Sequence, residues 1–234
     1  MRRLTARLST VAGEVQRLLE AIPAQFEANA VAPASSKPLA GVSGVPLYVD
    51  VGCDHAGLPL TLLSRGVAAT IIAVDINAAP CELARQNARK LELPLEVRQG
   101  AGLDPVAGRV DVVSICGVGS DTVVGILEAA KDRIGAAVVQ PNDGAEVVRR
   151  WAMGAGWAVT RERGVWDRGR YFGVLVLGPG VWTGDEVEIA WGVAAQVDRE
   201  ALRRRLGAEV RRLAAWGRGL GVALQALERL SVPK

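Results

Sequence analysis

From Pro46 onward, short apolar runs of strand character alternate with stretches that have the periodicity of amphipathic helices. The strand runs are continuously apolar, which is typical of parallel strands that are buried on both faces. The alternation predicts an α/β fold in which helices cover both faces of a parallel sheet. The strand candidates are Leu47–Val51, Thr70–Asp75, Leu95–Arg98, Val110–Ile115 and Ala136–Gln140, and the helix candidates are Leu58–Arg65, Ala78–Leu91, Asp121–Ala130 and Ala145–Met153.

Two further strand candidates follow the last of these helices. They are Trp157–Arg163 and Tyr171–Leu177, and the segment between them, Gly164–Arg170, contains two glycines and no helical pattern. We interpret this segment as the loop of a β-hairpin. A parallel sheet that ends in a hairpin at one edge differs from the usual dinucleotide-binding order.

Both ends of the chain have helical character. The first ~20 residues predict an amphipathic helix, and the Ala-, Pro- and Ser-rich stretch Ile22–Pro46 has the composition of a linker. Beyond Gly184 we predict a helical hairpin that packs on itself or on the N-terminal helix. The expected division is therefore 1–46, 47–181 and 182–234, and the apolar stripes of the hairpin are Leu202, Leu206, Val210 and Leu213 in one helix and Leu220, Leu224 and Leu227 in the other.

Composition excludes several classes of protein. No apolar run approaches the ~20 residues that a membrane span requires, and charged residues interrupt the N-terminal stretch, so we expect neither a membrane protein nor a secretory signal. Three cysteines without a Cys-x-x-Cys spacing and a single histidine argue against a disulfide framework and a metal centre. We expect a cytoplasmic protein. The net charge of +3 is concentrated at the two ends, which indicates either a polyanionic partner or an ordinary solvated surface.

The first strand leads into the turn Asp50–Gly57, whose residues suggest a ligand. Gly52 permits a tight turn and close approach of a ligand, and the helix that follows offers free backbone N–H groups. Asp54 stands where a nicotinamide-binding turn has its second glycine, and its carboxylate would repel a diphosphate. The turn suits a cofactor with a sulfonium and an amino-acid tail, although a ligand-free turn stays open. His55 is either a hydrogen-bond donor in the site or a capping residue.

Other polar and glycine-rich segments also lie just past the ends of predicted strands. Asp75 can hold both hydroxyls of a ribose because a carboxylate has two acceptor oxygens. The Gln99–Gly102 segment would lie beside an adenine ring, and Asn142 can accept a hydrogen bond from an exocyclic amine. Ligands of open α/β sheets bind at this edge.

From Leu4 to about Gly178 the chain resembles the bacterial tRNA (adenine-22-N1)-methyltransferase family. The resemblance implies a Rossmann-like class I methyltransferase sheet of seven strands, with an antiparallel edge hairpin and a C-terminal helical extension. It also implies that the cofactor is S-adenosylmethionine and that the substrate is a ring nitrogen of adenine in tRNA. The matching stretches are LTARLSTVA, VDVGCDHAGLP, VRQGAGL, CGVGSD, VVQPN and GRYFGVLVLG.

The strand ends and the resemblance together give the candidate site residues. We assign catalysis to Asp50, Asp54 and Asn142, with a carboxylate stabilising the positive charge that forms on the base. The substrate mouth comprises Gln140, Pro141 and Asn142. The cofactor candidates are Asp50, Gly52, Cys53, His55, Asp75, Ile76, Gly100, Ala101, Cys116 and Gly117.

Contacts to tRNA are expected from aromatic and basic residues outside the turns. Trp166 lies beside several arginines in the predicted hairpin loop, so it is the candidate for base stacking, with Arg168 next to it. Arg203 and Arg211 belong to the arginine-rich side of the C-terminal helices and would bind phosphates. Packing of the tryptophan and solvation of the arginines are the alternatives.

The chain departs from the family pattern in three places. Ala101 stands where the family has an acidic residue, Val118 and Ser120 interrupt a Gly-Met-Gly-Gly pattern, and about Gln25–Pro46 resembles an insertion. Two other functions therefore stay open, a non-catalytic RNA-binding homologue with a decayed cofactor site and a methyltransferase that acts on a small molecule or a protein. An NAD-dependent dehydrogenase is disfavoured because Asp54 occupies the phosphate turn.

Overall fold

The computed structural model describes residues 4–29, 45–192, 199–216 and 220–231. Within these residues, seven strands form one sheet. The strands are β1 (Leu47–Val51), β2 (Thr70–Asp75), β3 (Glu96–Gln99), β4 (Val110–Cys116), β5 (Ile134–Gln140), β6 (Trp157–Asp167) and β7 (Arg170–Pro179). Their order across the sheet is β3-β2-β1-β4-β5-β7-β6, which confirms the predicted class I methyltransferase plan.

The helices agree with the alternation seen in the sequence. Each predicted strand and helix between residues 47 and 154 is present, with its bounds shifted by at most two residues. None of the described helices is both long enough and apolar enough to cross a membrane. The helices are α1 (Ala6–Asn29), α2 (Gly57–Ser64), α3 (Ala78–Lys90), α4 (Ser120–Ala130), α5 (Ala145–Gly154), α6 (Glu186–Trp191), α7 (Arg199–Trp216) and α8 (Leu220–Ser231), with a 3₁₀ turn at Lys131–Arg133.

Strand β1 has a parallel neighbour on each side. Asp50 is level with Ala73 of β2 and with Ser114 of β4, and Asp75 at the end of β2 is level with Gln99 of β3. Continuous apolar sequence in β1, β2 and β4 corresponds to burial on both faces, as expected for parallel strands. The register brings the carboxyl ends of β1, β2 and β3 to one edge, where the predicted cofactor residues follow.

The edge hairpin is longer than the sequence indicates. Strand β6 continues to Asp167 and pairs with β7 from Arg170, so the predicted loop Gly164–Arg170 is wrong. The turn consists of Arg168 and Gly169, both with positive φ (49° and 77°). A two-residue turn of this kind matches the twist of paired strands, which lets the pairing continue through the first glycine.

The N-terminal helix is also longer than predicted. Helix α1 continues to Asn29, so the linker assignment is wrong for residues 22–29, and the remainder, 30–44, lies outside the described residues. Alanine, glutamine and glutamate recur after Pro23, and these residues favour helix over an irregular linker. On the buried side of α1 lie Val11, Val15 and Leu19.

The C-terminal helices form the predicted helical hairpin, which packs on itself. Leu202 and Leu206 of α7 are fully buried with Ala223 and Ala226 of α8. The stripe predicted for α8 is wrong at Leu224, which is 47% exposed. Two alanines one turn apart give α8 a flat contact face that allows close packing with α7, and this face turns Leu224 outward.

The chain divides into two compact units. Strands β1 to β4 belong almost entirely to the first unit, and the edge hairpin with helices α5 to α8 belongs to the second. The segment limits expected at residues 46 and 181 stay a prediction. The first unit comprises Met1–Leu4, Val11–Ile115 and Ala130–Val138, and the second comprises Thr5–Thr10, Cys116–Ala129 and Val139–Lys234.

Candidate active site

The turn that follows β1, together with Asp75, is here called the carboxylate turn. Gly52, Asp54 and Ala56 all have positive φ (74°, 50° and 58°), a conformation that costs non-glycine residues roughly 1–3 kcal/mol each. The backbone N–H of Gly52 donates to the carbonyl of Val74 (2.9 Å), and that of Asp54 donates to Asp75 Oδ2 (3.2 Å). The end of β2 therefore holds the turn in this conformation.

Asp75 presents a nearly buried pair of acceptor oxygens. Its side chain accepts from the backbone N–H of Asn77 through Oδ1 (3.0 Å) and from that of Asp54 through Oδ2. Each carboxylate oxygen keeps a further lone pair. The next residue, Ile76, is 63% exposed although it is a large apolar side chain. Two acceptor oxygens and an apolar surface are thus adjacent at the end of β2, and their assignment to a cofactor stays a prediction.

Asp50 lies in the interior of the first unit. Ser114 Oγ donates to Asp50 Oδ1 and also lies 2.7 Å from the hydroxyl of Tyr48, so the three side chains form one buried chain. Burial raises the pKa of Asp50 to about 7, although the hydrogen bonds from Ser114 and Tyr48 oppose the shift. This carboxyl group is therefore poised between its two protonation states near neutral pH.

Asp54 and His55 form the exposed part of the carboxylate turn. The Asp54 and His55 side chains are 70% and 44% exposed, and His55 Nδ1 lies 2.7 Å from Asp54 Oδ2. Asn87 holds the same segment from α3, because its side-chain amide donates to the carbonyl of His55 (3.0 Å). Of the two predicted catalytic carboxylates, Asp54 is the one that reaches solvent.

The carboxylate turn has a negative electrostatic potential. Burial raises the pKa of the Cys53 thiol, and the nearby carboxylates of Asp50, Asp75 and Asp54 raise it further. Residues 50–57 contain no lysine or arginine that would offset these charges. A ligand with positive charge is therefore favoured here over a diphosphate.

The loop after β3 is fixed to the same end of the sheet. Gly100 packs so closely on Pro105 that an added Cβ would come within 2.8 Å of the proline ring. Ala101, which follows, is exposed. Arg133 holds the loop through its guanidinium, which donates to the carbonyl oxygens of Leu103, Val106 and Gly108.

In the second unit, the ends of β4 and β5 are joined through backbone and amide contacts. The N–H of Gly117, which follows the half-buried Cys116, donates to the carbonyl of Gln140 (3.0 Å). The side-chain Nδ2 of Asn142 donates to the carbonyl of Gly117 (2.6 Å), and its backbone N–H donates to that of Val118 (2.8 Å). The predicted residues Cys116, Gly117, Gln140, Pro141 and Asn142 are thus brought together.

Arg7 of α1 is the residue of this region that the sequence did not reveal. Its Nη1 donates to Gln140 Oε1 (3.2 Å) and to Asn142 Oδ1 (3.1 Å). Its guanidinium carbon lies 5.0 Å from the centre of the Phe172 ring. We call Arg7, Gln140 and Asn142 the amide cluster. The signal was an arginine inside LTARLSTVA, but nothing in its spacing identified the partners.

The predicted tRNA contacts lie on other elements of the second unit. Trp166 belongs to strand β6 rather than to a loop, is 36% exposed, and packs edge-on against Tyr171 with ring centres 6.0 Å apart. Arg168 lies on the hairpin turn, and Arg203 and Arg211 are exposed on α7. Their role in binding tRNA stays a prediction.

Comparison with known proteins identifies the family. A family model described as a methyltransferase domain matches residues 40–175. The chain belongs to this family. A curated relative, the tRNA (adenine(22)-N(1))-methyltransferase of Bacillus subtilis (strain 168), is 33% identical over 140 residues, which are 57% of this chain and 59% of the relative. The match thus spans less than two thirds of that relative, and it confirms the resemblance that the motifs indicated.

Solved structures agree with the fold of the methyltransferase domain. TrmK of M. capricolum, in complex with S-adenosyl-homocysteine, is similar with a TM-score of 0.70 and 19% identity over 98% of this chain and 96% of that one. The m1A22 tRNA methyltransferase TrmK of B. subtilis is similar with a TM-score of 0.69 and 23% identity over 97% of each chain. Both confirm the predicted class I fold from the N-terminal helix to the C-terminal helices.

In the part of the chain that the structure describes, no three His, Cys, Asp or Glu side chains are grouped as ligands of one ion.

The residues that sequence reasoning missed are polar groups inside apolar elements. Arg7 lies in a helix with an apolar stripe, and Ser114 interrupts the apolar run of β4.

Proposed function

We propose that this methyltransferase domain transfers a methyl group from S-adenosylmethionine to N1 of an adenine in tRNA. The observation that carries the proposal is the carboxylate turn, where Asp50, Asp54 and Asp75 meet without a lysine or arginine among residues 50–57. Such a turn favours a cofactor with a sulfonium and an ammonium group. Similarity to the tRNA (adenine(22)-N(1))-methyltransferase of B. subtilis and to M. capricolum TrmK with bound S-adenosyl-homocysteine supports the choice of substrate and cofactor.

The residues present fit this cofactor. Asp75 keeps acceptor capacity on both oxygens for the hydroxyls of a ribose. Ile76 exposes an apolar side chain for an adenine ring, and the backbone at Gly100 and Ala101 would line its edge. The negative carboxylate turn would hold the amino-acid tail. When bound, S-adenosylmethionine supplies an electrophilic methyl group, so the protein mainly has to align it with the nucleophile.

The amide cluster would receive the target base. N1 lies on the pairing edge of adenine, so the nucleotide has to leave its stack before N1 can reach a methyl donor. Asn142 Oδ1 accepts one hydrogen bond from Arg7 and has a second lone pair for the exocyclic amine of adenine. Gln140 and Pro141 are buried, so of the three residues predicted for the substrate mouth Asn142 is the one with a partly exposed side chain.

The carboxylates of the turn would have different roles, because Asp54 is exposed and Asp50 is buried. Attack by N1 places positive charge on the ring, and an exposed carboxylate close to the ring stabilises that charge. Asp54 is suited to this role because its side chain is 70% exposed. Asp50 is buried and hydrogen-bonded to Ser114, so its contribution is to the shape and charge of the cofactor turn.

The rest of the tRNA would be held by the second unit. Arg203 and Arg211 on α7, with Arg168 on the hairpin turn, would bind phosphates without sequence preference. Trp166 is 36% exposed, and the exposed part of its ring would stack on a base. All three cysteines are free, which agrees with a cytoplasmic site of action, where tRNA is found.

The test is a titration followed by an assay. Calorimetry should show binding of S-adenosylmethionine and none of NAD. The protein should then form N1-methyladenosine in an unmodified tRNA transcript, and a matched transcript with guanine in place of adenine 22 should stay unmethylated. Binding of NAD, or methylation elsewhere than at an adenine N1, would contradict the proposal.

A non-catalytic RNA-binding role is the second candidate, because one observation favours it. Ala101 is exposed on the loop after β3 and offers no side-chain acceptor to the amine of the cofactor's adenine. Binding of tRNA without binding of S-adenosylmethionine would support this candidate. Recovery of cofactor binding in Ala101→Asp would then identify the lost group.

A further inference from the structure

We propose that Arg7 is a positioning residue that fixes the side-chain amides of Gln140 and Asn142 for recognition of the target adenine. The inference rests on the proposed function, in which the amide of Asn142 receives the base, while the buried amide of Gln140 shares Arg7 with it. Arg7 itself would not touch the reacting atoms. It acts by deciding which end of each amide presents oxygen.

The orientation follows from the chemistry of the partners. A guanidinium only donates hydrogen bonds, so Gln140 Oε1 and Asn142 Oδ1 have to face Arg7 Nη1, at 3.2 and 3.1 Å. The opposite ends face carbonyl oxygens, which only accept. Asn142 Nδ2 donates to the carbonyl of Gly117 (2.6 Å), and Gln140 Nε2 donates to that of Pro141 (2.7 Å). If either amide were flipped, it would lose its hydrogen bonds to Arg7 and to the carbonyl oxygen. Its NH₂ group would then face the guanidinium and its oxygen would face the carbonyl.

Arg7 is itself held in place. Its guanidinium lies over Phe172, and its Nε lies 3.7 Å from Asp167 Oδ2, so a ring and a carboxylate of the edge hairpin define its position. Arg170 lies over the same ring at 5.3 Å and donates to the backbone carbonyl of Asn142 at 3.4 Å. With 27% of its side chain exposed, Arg7 is partly shielded from water, which strengthens its hydrogen bonds.

The fixed amides provide selectivity for adenine over guanine. Asn142 Oδ1 can accept from the exocyclic amine of adenine, whereas guanine has an oxygen at the corresponding position and would place two acceptors together. Without Arg7, the amide of Asn142 can turn and present its NH₂ group instead. We therefore expect loss of Arg7 to slow methyl transfer and to weaken discrimination between the two bases.

The experiment compares Arg7→Met with Arg17→Met in the full chain. Methionine keeps an apolar stem over Phe172 and removes every donor. Arg17 is a matched control, because it lies on the same helix and pairs with Glu14 rather than with the amide cluster. The measurements are the melting temperature, the Kd for S-adenosylmethionine, the Kd for tRNA, and the single-turnover rate of methyl transfer.

Arg7→Met should lower the single-turnover rate roughly 10- to 100-fold, the effect of two lost charge-assisted hydrogen bonds. Both Kd values and the melting temperature should stay near those of the wild type, and Arg17→Met should match the wild type throughout. In an Asn142→Ala background, Arg7→Met should have little further effect on the rate, because Asn142, the amide that would contact the base, is gone. Arg7→Lys should recover part of the rate, since an ammonium also donates to the amides.

Several outcomes would overturn the inference and are separable from failure of the proposed function. A wild-type protein that does not methylate tRNA would overturn both. An active wild type with an equally active Arg7→Met would overturn the positioning role alone. The same holds if the rate falls only together with the melting temperature or cofactor affinity, or if the effects of Arg7→Met and Asn142→Ala are additive. Should Arg7→Met not fold, Arg7→Lys takes its place, and a single-turnover rate equal to that of the wild type would count against the positioning role.

Discussion

The carboxylate turn and the amide cluster are both proposed to bind a ligand, but they differ in charge and in how far apart their residues lie in the sequence. The first consists of the contiguous turn Asp50–Gly57 with Asp75, carries negative charge, and donates backbone hydrogen bonds to the end of β2. In the second, one arginine, Arg7, donates hydrogen bonds to Gln140 and Asn142, which follow it by 133 and 135 positions in the sequence. A cationic small molecule needs a local, charged turn, whereas a planar base needs donors and acceptors of fixed orientation, which several elements have to supply together.

The largest expected effect tests the first of these regions. Asp75→Ala should weaken binding of S-adenosylmethionine by roughly 100-fold or more, because the proposed role of Asp75 is to make two charge-assisted hydrogen bonds to the ribose, and both would be lost. Calorimetric titration measures the change. Asp75 also accepts from the backbone of Asp54 and Asn77, so Asp75→Asn is the companion variant that keeps one acceptor oxygen.

In the companion variant, affinity should lie between those of the wild type and Asp75→Ala. The amide cluster should be unaffected by either change, so the Kd for tRNA should stay constant. Equal affinity of all three proteins for S-adenosylmethionine would show that the ribose is not held by Asp75.

The second expected effect concerns chemistry rather than binding. Asp54→Asn should lower the single-turnover rate about 10-fold or more while the Kd for S-adenosylmethionine changes little, because a neutral amide stabilises positive charge on the base less than a carboxylate does. Asp132→Asn is the control, since Asp132 is another exposed aspartate of the first unit but lies on the 3₁₀ turn before β5. A rate loss that is equal in both variants would contradict a specific role for Asp54.

The turn after β1 could be predicted from the sequence and the amide cluster could not, because only the turn is contiguous. The turn Asp50–Gly57 is contiguous, so a glycine and two aspartates after an apolar strand indicated its position and charge. The link between Arg7 and Asn142 could not be read from the sequence, because no periodicity relates an arginine on the first helix to an amide that follows β5. Folding alone brings them within hydrogen-bond distance.

Errors in the element predictions have local physical causes. The loop Gly164–Arg170 was predicted from its two glycines, but Gly164 pairs within β6 and only Arg168 and Gly169 turn the chain. Leu224 was assigned to a buried stripe because it is apolar, whereas alanines make the contact face of α8. A glycine therefore predicts a turn, and a leucine predicts a buried position, only when the packing of the neighbouring strand or helix allows it.

The third expected effect uses the buried chain Tyr48–Ser114–Asp50. In the folded protein the pKa of Asp50 is raised to about 7, above its value in the unfolded chain of about 4, so the folded state binds the proton more tightly. The associated stabilisation is complete below pH 4 and is lost as the pH rises towards 7. Relative to Asp50→Asn, the wild-type melting temperature should fall by roughly 5–10 °C between pH 5 and pH 8.

Ser114→Ala sharpens this prediction. The hydrogen bond from Ser114 lowers the pKa of Asp50, so its removal should move the region of falling stability to higher pH. Thermal melts of the three proteins across this range measure the effect. A difference between wild type and Asp50→Asn that is independent of pH would mean that Asp50 does not titrate in this window.

The smallest expected effect lies outside both regions. Arg203→Gln and Arg211→Gln should each weaken tRNA binding several-fold and lower the slope of log Kd against log salt by about 1, because each removes one phosphate contact. The rate at saturating tRNA should not change, in contrast to Arg7→Met. If either variant instead lowers the rate at saturating tRNA and leaves the salt slope unchanged, helix α7 affects the geometry of the site. Binding of the tRNA phosphates and orientation of the target base would then not be separate functions of α7 and the amide cluster.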